Sequence, residues 1–127
     1  MALFIDRALR NEPLIIYGSG EQERDFLYVK DAAKALGLAV NRQKELDGKI
    51  INVATGRLIS INHLADLIRD LAGSTSEIIR LPSERIEHCG LPLAITQARD
   101  ILEWSAAWSL EQGITNTINW HKAVQSI

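Results

Sequence analysis

At 127 residues, 46% hydrophobic and 24% charged, the chain falls in the globular range, can bury about two-thirds of its unfolded surface, and is most naturally one domain over residues 1–127. Its 14 basic against 16 acidic residues leave no electrostatic footprint for nucleic acid or an anionic membrane. With no run of about eighteen apolar residues, no basic-then-apolar leader and a single cysteine, Cys89, the expectations are a soluble, cytoplasmic chain without membrane contact, an intrachain disulfide or a cysteine-cluster metal site.

In chain order, residues 2–10 place Phe4, Ile5, Ala8 and Leu9 on one side of a short amphipathic helix, which Asn11-Glu12-Pro13 stops. Residues 14–17 form a β-branched and aromatic run, Gly18-Ser19-Gly20 a turn, and residues 25–29 a second run, which predicts two short strands around a glycine turn. Residues 31–41 read as a small-residue helix. In it Ala32, Ala35, Leu36, Ala39 and Val40 can approach a neighbour closely, despite Gly37, which costs about 1 kcal/mol relative to alanine. Residues 50–54 are nearly continuously apolar, the pattern of a strand covered on both faces.

The clearest helix is 60–72, with Ser60 as N-cap, a stripe of Ile61, Leu64, Ala65, Ile68, Leu71 and Ala72, and Gly73 as terminator. A strand at 77–81 follows, then a helix from Thr96 to near Glu103. A last helix starts behind a Ser109-to-Gln112 capping box and buries Leu110, Ile114, Ile118 and His121. The fold class is α/β: a small mixed sheet with several short helices.

Most polar constellations have bland explanations. His88-Cys89 is not a convincing metal pair, because adjacent side chains rarely converge on one ion and His63 and His121 fall on separate predicted helices. Ser60, His63 and Asp66 share the spacing of one helix, where Ser60 is better explained as a cap than as a nucleophile. Trp104, Trp108 and Trp120 are expected in the core. No metal site and no catalytic residue emerge.

The segment Arg24-Asp25-Phe26-Leu27-Tyr28-Val29-Lys30-Asp31, followed by the small residues Ala32-Ala33-Lys34-Ala35, resembles the Arg-Asp-aromatic signature of the extended short-chain dehydrogenase/reductase family. These are the NAD-dependent epimerases and dehydratases of nucleotide sugars, such as UDP-galactose 4-epimerase. The resemblance continues in order. Ile50 to Gly56 is similar to the family's strand-Asn-x-Gly segment, Ser60 to Ala65 to the next helix, Leu81 to Arg85 to a Pro-x-x-Arg region, Thr96 to Trp104 to the Ser-Lys-Ala and Leu-Gly-Trp region, and Leu110 to Ile114 to the closing helix. It covers nearly the whole chain and corresponds to the C-terminal third of such an enzyme.

That resemblance implies a substrate-binding portion. Arginine forks suit phosphate oxygens better than lysine does, and the family's two diphosphate-binding arginines match Arg24 and Arg85, with Phe26 at an aromatic position beside the first. Where the family often carries an acid toward the ribose hydroxyls, this chain has His88. The chemistry is a different matter. The two tyrosines, Tyr17 and Tyr28, are followed four residues on by Glu21 and Ala32, so no Tyr-x-x-x-Lys exists. Gly18-x-Gly20 leads to Glu23 and an extended run, not to a third glycine and a helix.

These 127 residues are therefore expected to bind no cofactor by themselves, NAD entering only if a partner chain supplies a Rossmann domain. Three readings stay open: a noncatalytic homologue that keeps nucleotide-sugar affinity, a structural or interaction protein with a vestigial pocket, and the substrate-binding subunit of a split epimerase. The apolar strand 50–54 and helix 31–41 have surfaces that need covering, so a homodimer is expected.

Overall fold

The computed structural model describes residues 1–83 and 90–125. Helix α1 (Ala2–Leu9) buries Ile5 and Ala8 and ends where Asn11 turns left-handed at φ 54°. Asparagine tolerates that conformation because its short side chain can bond locally. Here the Asn11 Oδ1 accepts from the Thr75 N–H at 3.0 Å and the Ser74 hydroxyl at 3.0 Å, tying this corner to a distant loop.

Strand β1 (Leu14–Tyr17) alternates inward Leu14 and Ile16 with outward Tyr17. A short β2 (Glu23–Arg24) precedes helix α2 (Val29–Asn41) and the single turn α3 (Gln43–Leu46). After an extended stretch come β3 (Ile59–Ser60), α4 (Ile61–Ala72), β4 (Ile78–Leu81), α5 (Thr96–Leu102) and α6 (Leu110–Gln125). The fold class is α/β, with its strands in two pairs of opposite sense. β1 runs parallel to β4, Leu14 opposite Ile78 and Tyr17 opposite Leu81, while β2 runs antiparallel to β3, Glu23 opposite Ser60.

Two apolar clusters hold these elements. The larger joins Ile5 and Ala8 of α1, Leu14 and Ile16 of β1, Leu64, Ala65 and Ile68 of α4, and Ile114 and Ile118 of α6. The smaller joins Ala35 of α2 to Ala98, Leu102 and Trp104. Local signals account for the helix ends. The Ser60 hydroxyl accepts from the His63 N–H at 3.2 Å and Gly73 closes α4 in the left-handed region. At α6, the Ser109 N–H donates to Gln112 Oε1 at 3.0 Å while the Gln112 N–H donates to the Ser109 hydroxyl at 3.2 Å, the reciprocal capping box.

Four expectations need correction. The run 25–29 is not a strand: β1 takes its partner from β4, so no hairpin forms around Gly18-Ser19-Gly20, and Val29 already opens α2. Residues 50–54 form no ladder among the described residues, since each short strand is already paired elsewhere, and Ile50 is 88% exposed. In α2, Leu36 and Val40 face outward, and a side chain added at Gly37 would meet nothing within 4 Å, so this glycine serves no close approach among the described residues. Finally, Trp104 is core but Trp120 is 60% exposed and Trp108 only half-buried. No helix among the described residues is long and apolar enough to cross a membrane.

Candidate functional site

The site is built from the Arg24-Asp25-Phe26 run, whose central carboxylate fixes its neighbours. Asp25 Oδ1 accepts from the Thr55 N–H at 3.0 Å and the Thr55 hydroxyl at 2.7 Å, and Oδ2 accepts from the Gly56 N–H at 2.7 Å. Hydrogen bonds to a charged acceptor are among the stronger ones. They pin residues 24–26 against the turn at 55–57, and Phe26 and Arg57 consequently share a cavity wall.

A second acid performs the same service for the opposite wall. Asp31, in the first turn of α2 and only 1% exposed, accepts from the Ala107 N–H at 3.1 Å and from the Trp108 N–H at 3.1 Å. Its backbone carbonyl accepts from the Trp104 indole N–H at 3.0 Å. A buried carboxylate is tolerated when backbone donors replace water around it, and here those donors place the 104–109 segment. Trp108 then stands 5.1 Å from the Tyr28 ring, with the Lys30 ammonium 5.3 Å from its own centroid.

Between these walls lies a cavity of about 450 Å³ lined by Phe26, Arg57, His63, Arg99, Trp108 and Glu111, among others. The Glu111 carboxyl is held below the usual glutamate range, chiefly by a hydrogen bond from its own backbone N–H and then by the Ser109 side chain. The charges of His63 and Arg57 add to the effect, and slight burial opposes it. A separate groove of about 380 Å³ is apolar, running between α2 and the extended residues 51–53 and lined by Leu27, Ala35, Leu36, Ala39, Ile51 and Val53.

Of the residues singled out from sequence, Phe26 lines the polar cavity. Arg24 is exposed at the end of β2, where its Nη1 donates to the Glu23 carbonyl at 2.7 Å. Arg85 and His88 lie outside the described residues, so only Arg24 and Phe26 are seen together, as neighbours across Asp25. Sequence reasoning passed over Arg57, Arg99 and Glu111 as site residues. Arg57 had one usable signal, its place directly behind the Thr55-Gly56 turn, whereas Arg99 and Glu111 had none.

The tyrosines and glycines do not fit a dinucleotide site. Gly18-Ser19-Gly20 leads into β2 rather than a helix, and Gly20 serves to pass Asn62: a side-chain carbon there would overlap the Asn62 amide. Tyr28 is the N-cap residue of α2 with Ala32 one turn on, and Tyr17 lies exposed on β1. Neither has a lysine at the spacing that acid/base chemistry with NAD would need.

Comparison with known proteins places this geometry in context. The model of the NAD dependent epimerase/dehydratase family matches residues 1–54. A putative UDP-glucose 4-epimerase of Methanocaldococcus jannaschii is 38% identical over 122 residues, 96% of this chain and 38% of the relative. A UDP-N-acetyl-alpha-D-glucosaminuronate decarboxylase of Bacillus cytotoxicus is 31% identical across 97% of this chain and 40% of its own length. The crystal structure of a UDP-glucose 4-epimerase with UDP-glucose from Thermotoga maritima superposes with a TM-score of 0.89 at 31% identity, over 98% of this chain and 39% of that one. The chain thus spans about two-fifths of the length of these relatives, and over that span it belongs to the NAD-dependent epimerase/dehydratase family.

Proposed function

We propose that these 127 residues are the substrate-binding portion of a nucleotide-sugar epimerase or dehydratase homologue, and that they hold a nucleotide sugar without transforming it. The observation that carries this reading is the Asp25 clamp, which fixes Arg24 and Phe26 on either side of a carboxylate occupied by Thr55 and Gly56. Relatives that match over nearly the whole chain are named for UDP-sugar chemistry. In this reading Arg24 and Arg85 take the diphosphate as fixed cations, Phe26 flanks it and His88 faces the ribose. Neither a glycine fingerprint nor a Tyr-x-x-x-Lys pair lies within the chain, so hydride chemistry needs groups from outside it.

Charge-assisted hydrogen bonds of roughly 1.5–3 kcal/mol each, less the cost of association, give weak affinity. Calorimetric titration with UDP and dTDP tests this: a millimolar-range isotherm that Arg24→Ala abolishes supports it. No heat at millimolar nucleotide, or an isotherm indifferent to Arg24→Ala, leaves the vestigial-pocket reading in its place.

The apolar groove beside α2 favours an additional role for that face. Leu36, Val40 and Ile50 are 70%, 66% and 88% exposed, and the 50–54 backbone makes no ladder among the described residues. We propose a second copy of the chain as its occupant, two-fold pairing being the commonest way to cover such a face. Sedimentation at several concentrations reads this directly. A dimer supports it, while a monomer at high micromolar concentration, or a dimer only with a Rossmann-domain chain added, overturns it.

A further inference from the structure

The arginines of this chain divide sharply. Arg7 and Arg24 donate to backbone carbonyls, Arg10, Arg42 and Arg69 pair with carboxylates, and Arg80 donates to the Asn62 side chain at 2.9 Å. Among the described residues, no hydrogen bond or salt bridge engages the guanidinium of Arg57 or of Arg99. Both of these line the same 450 Å³ cavity, a volume within the range of small-molecule sites, about 300–1,000 Å³.

The rest of the lining narrows the ligand. Two guanidinium groups against the one carboxylate of Glu111 leave the lining with a net positive charge, which matches an acidic ligand. A second negative charge on the ligand would lie against the Glu111 carboxylate. The Ser105 and Ser109 side chains and the Glu111 carboxylate suit hydroxyl partners, and Phe26 and Trp108 offer flat apolar faces. A polyhydroxylated ring with one carboxylate has all of these complements. Glu111 stays ionised through its backbone and Ser109 hydrogen bonds, so it remains an acceptor for hydroxyls at neutral pH.

We infer that this cavity is a sugar-acid site, in which Arg57 and Arg99 take the carboxylate, Glu111 and the serine side chains take ring hydroxyls, and Trp108 and Phe26 cover the ring. It shares Phe26 with the nucleotide-sugar reading but does not rest on it, because Arg57 and Arg99 are not among the residues assigned to the nucleotide.

The experiment is an NMR titration of the isotopically labelled 127-residue chain with glucuronate, glucose and glucose 1-phosphate, followed at the Arg57 and Arg99 side-chain Nε and the Trp108 indole. Millimolar glucuronate is expected to shift all three signals, with glucose and glucose 1-phosphate weaker. Arg57→Ala and Arg99→Ala are each expected to weaken glucuronate about tenfold or more, as loss of a bidentate charged contact does, while Arg10→Ala changes nothing. Both cavity arginines are exposed and outside the apolar clusters, and circular dichroism of each variant confirms folding. No shift with glucuronate, an equal response to glucose, equal or tighter binding of glucose 1-phosphate, or indifference to both arginine substitutions overturns the assignment. A UDP titration of the same sample reads the Arg24 region on different amides, so failure of either site is seen separately.

Discussion

The Asp25 carboxylate and the Thr55 hydroxyl meet at 2.7 Å across thirty residues of sequence, and with the Thr55 and Gly56 N–H groups they make the joint on which the candidate site is hung. The acid in the Arg-Asp-aromatic signature is therefore structural here, and of its two neighbours Phe26 lines the cavity. Asp25→Ala leaves two backbone donors and a hydroxyl without their acceptor and is expected to cost about 2 kcal/mol. Urea unfolding measures it, and Asp25→Asn, which can keep part of the acceptor set, is expected to recover part of the loss.

Asp31 is more deeply placed, and the same substitution there strips the 104–109 segment of its anchor. Asp31→Ala is expected to cost about 3 kcal/mol, the upper end for charged hydrogen bonds. The segment's release is read independently in tryptophan fluorescence, since Trp104 is buried and its indole N–H donates to the Asp31 carbonyl. An unchanged emission maximum together with unchanged stability would show that this segment is held by packing alone.

Much of the fold was legible because its signals are local. Ser60 and Gly73 bracket α4, and Ser109 with Gln112 opens α6, each within a few residues of what it caps. Strand pairing was not legible in this way. Leu14 finds Ile78 only because α4 folds back between them, so the glycine turn after β1 suggested a hairpin that the chain does not make. Residues 50–54 read as a strand from their apolar run, yet a strand requires a ladder partner, and none lies among the described residues.

The site divides along the same line. Phe26 could be found by resemblance, whereas no spacing links residues 57, 63, 99 and 111, which folding alone gathers around one cavity. Asp25 and Asp31 were visible as letters of a motif, but their partners at 55–56 and 107–108 were not.

Acid should weaken the start of α6. The Glu111 carboxyl titrates below its ordinary range in the folded chain, so its contribution is fully present above the unfolded value and is lost as pH falls through the lowered folded one. Below the usual glutamate range, about pH 4.3, the urea midpoint is expected to fall slightly more for the parent chain than for Glu111→Gln. The effect is small because the group is solvent-exposed. Identical acid slopes for the two chains would contradict it.

Two glycines should respond in opposite directions. Gly37 lies inside α2 with open space around it, so Gly37→Ala is expected to stabilise by about 0.5–1 kcal/mol. Gly20 has φ +79° and abuts the Asn62 side chain, which itself holds the Ser19 carbonyl and receives Arg80. Gly20→Ala is expected to destabilise by at least about 1 kcal/mol, and thermal melts of the pair decide both.

Binding without turnover is most directly tested by one NMR experiment, in which the labelled chain is incubated with UDP-glucose and NAD while protein amides and sugar protons are followed together. The account predicts shifts at the Arg24 and Phe26 amides with UDP-glucose, whether or not NAD is added, and sugar resonances that remain those of UDP-glucose throughout. Silent amides at millimolar UDP-glucose, or the appearance of an epimerised or oxidised sugar that vanishes in Tyr17→Phe or Tyr28→Phe, would contradict it.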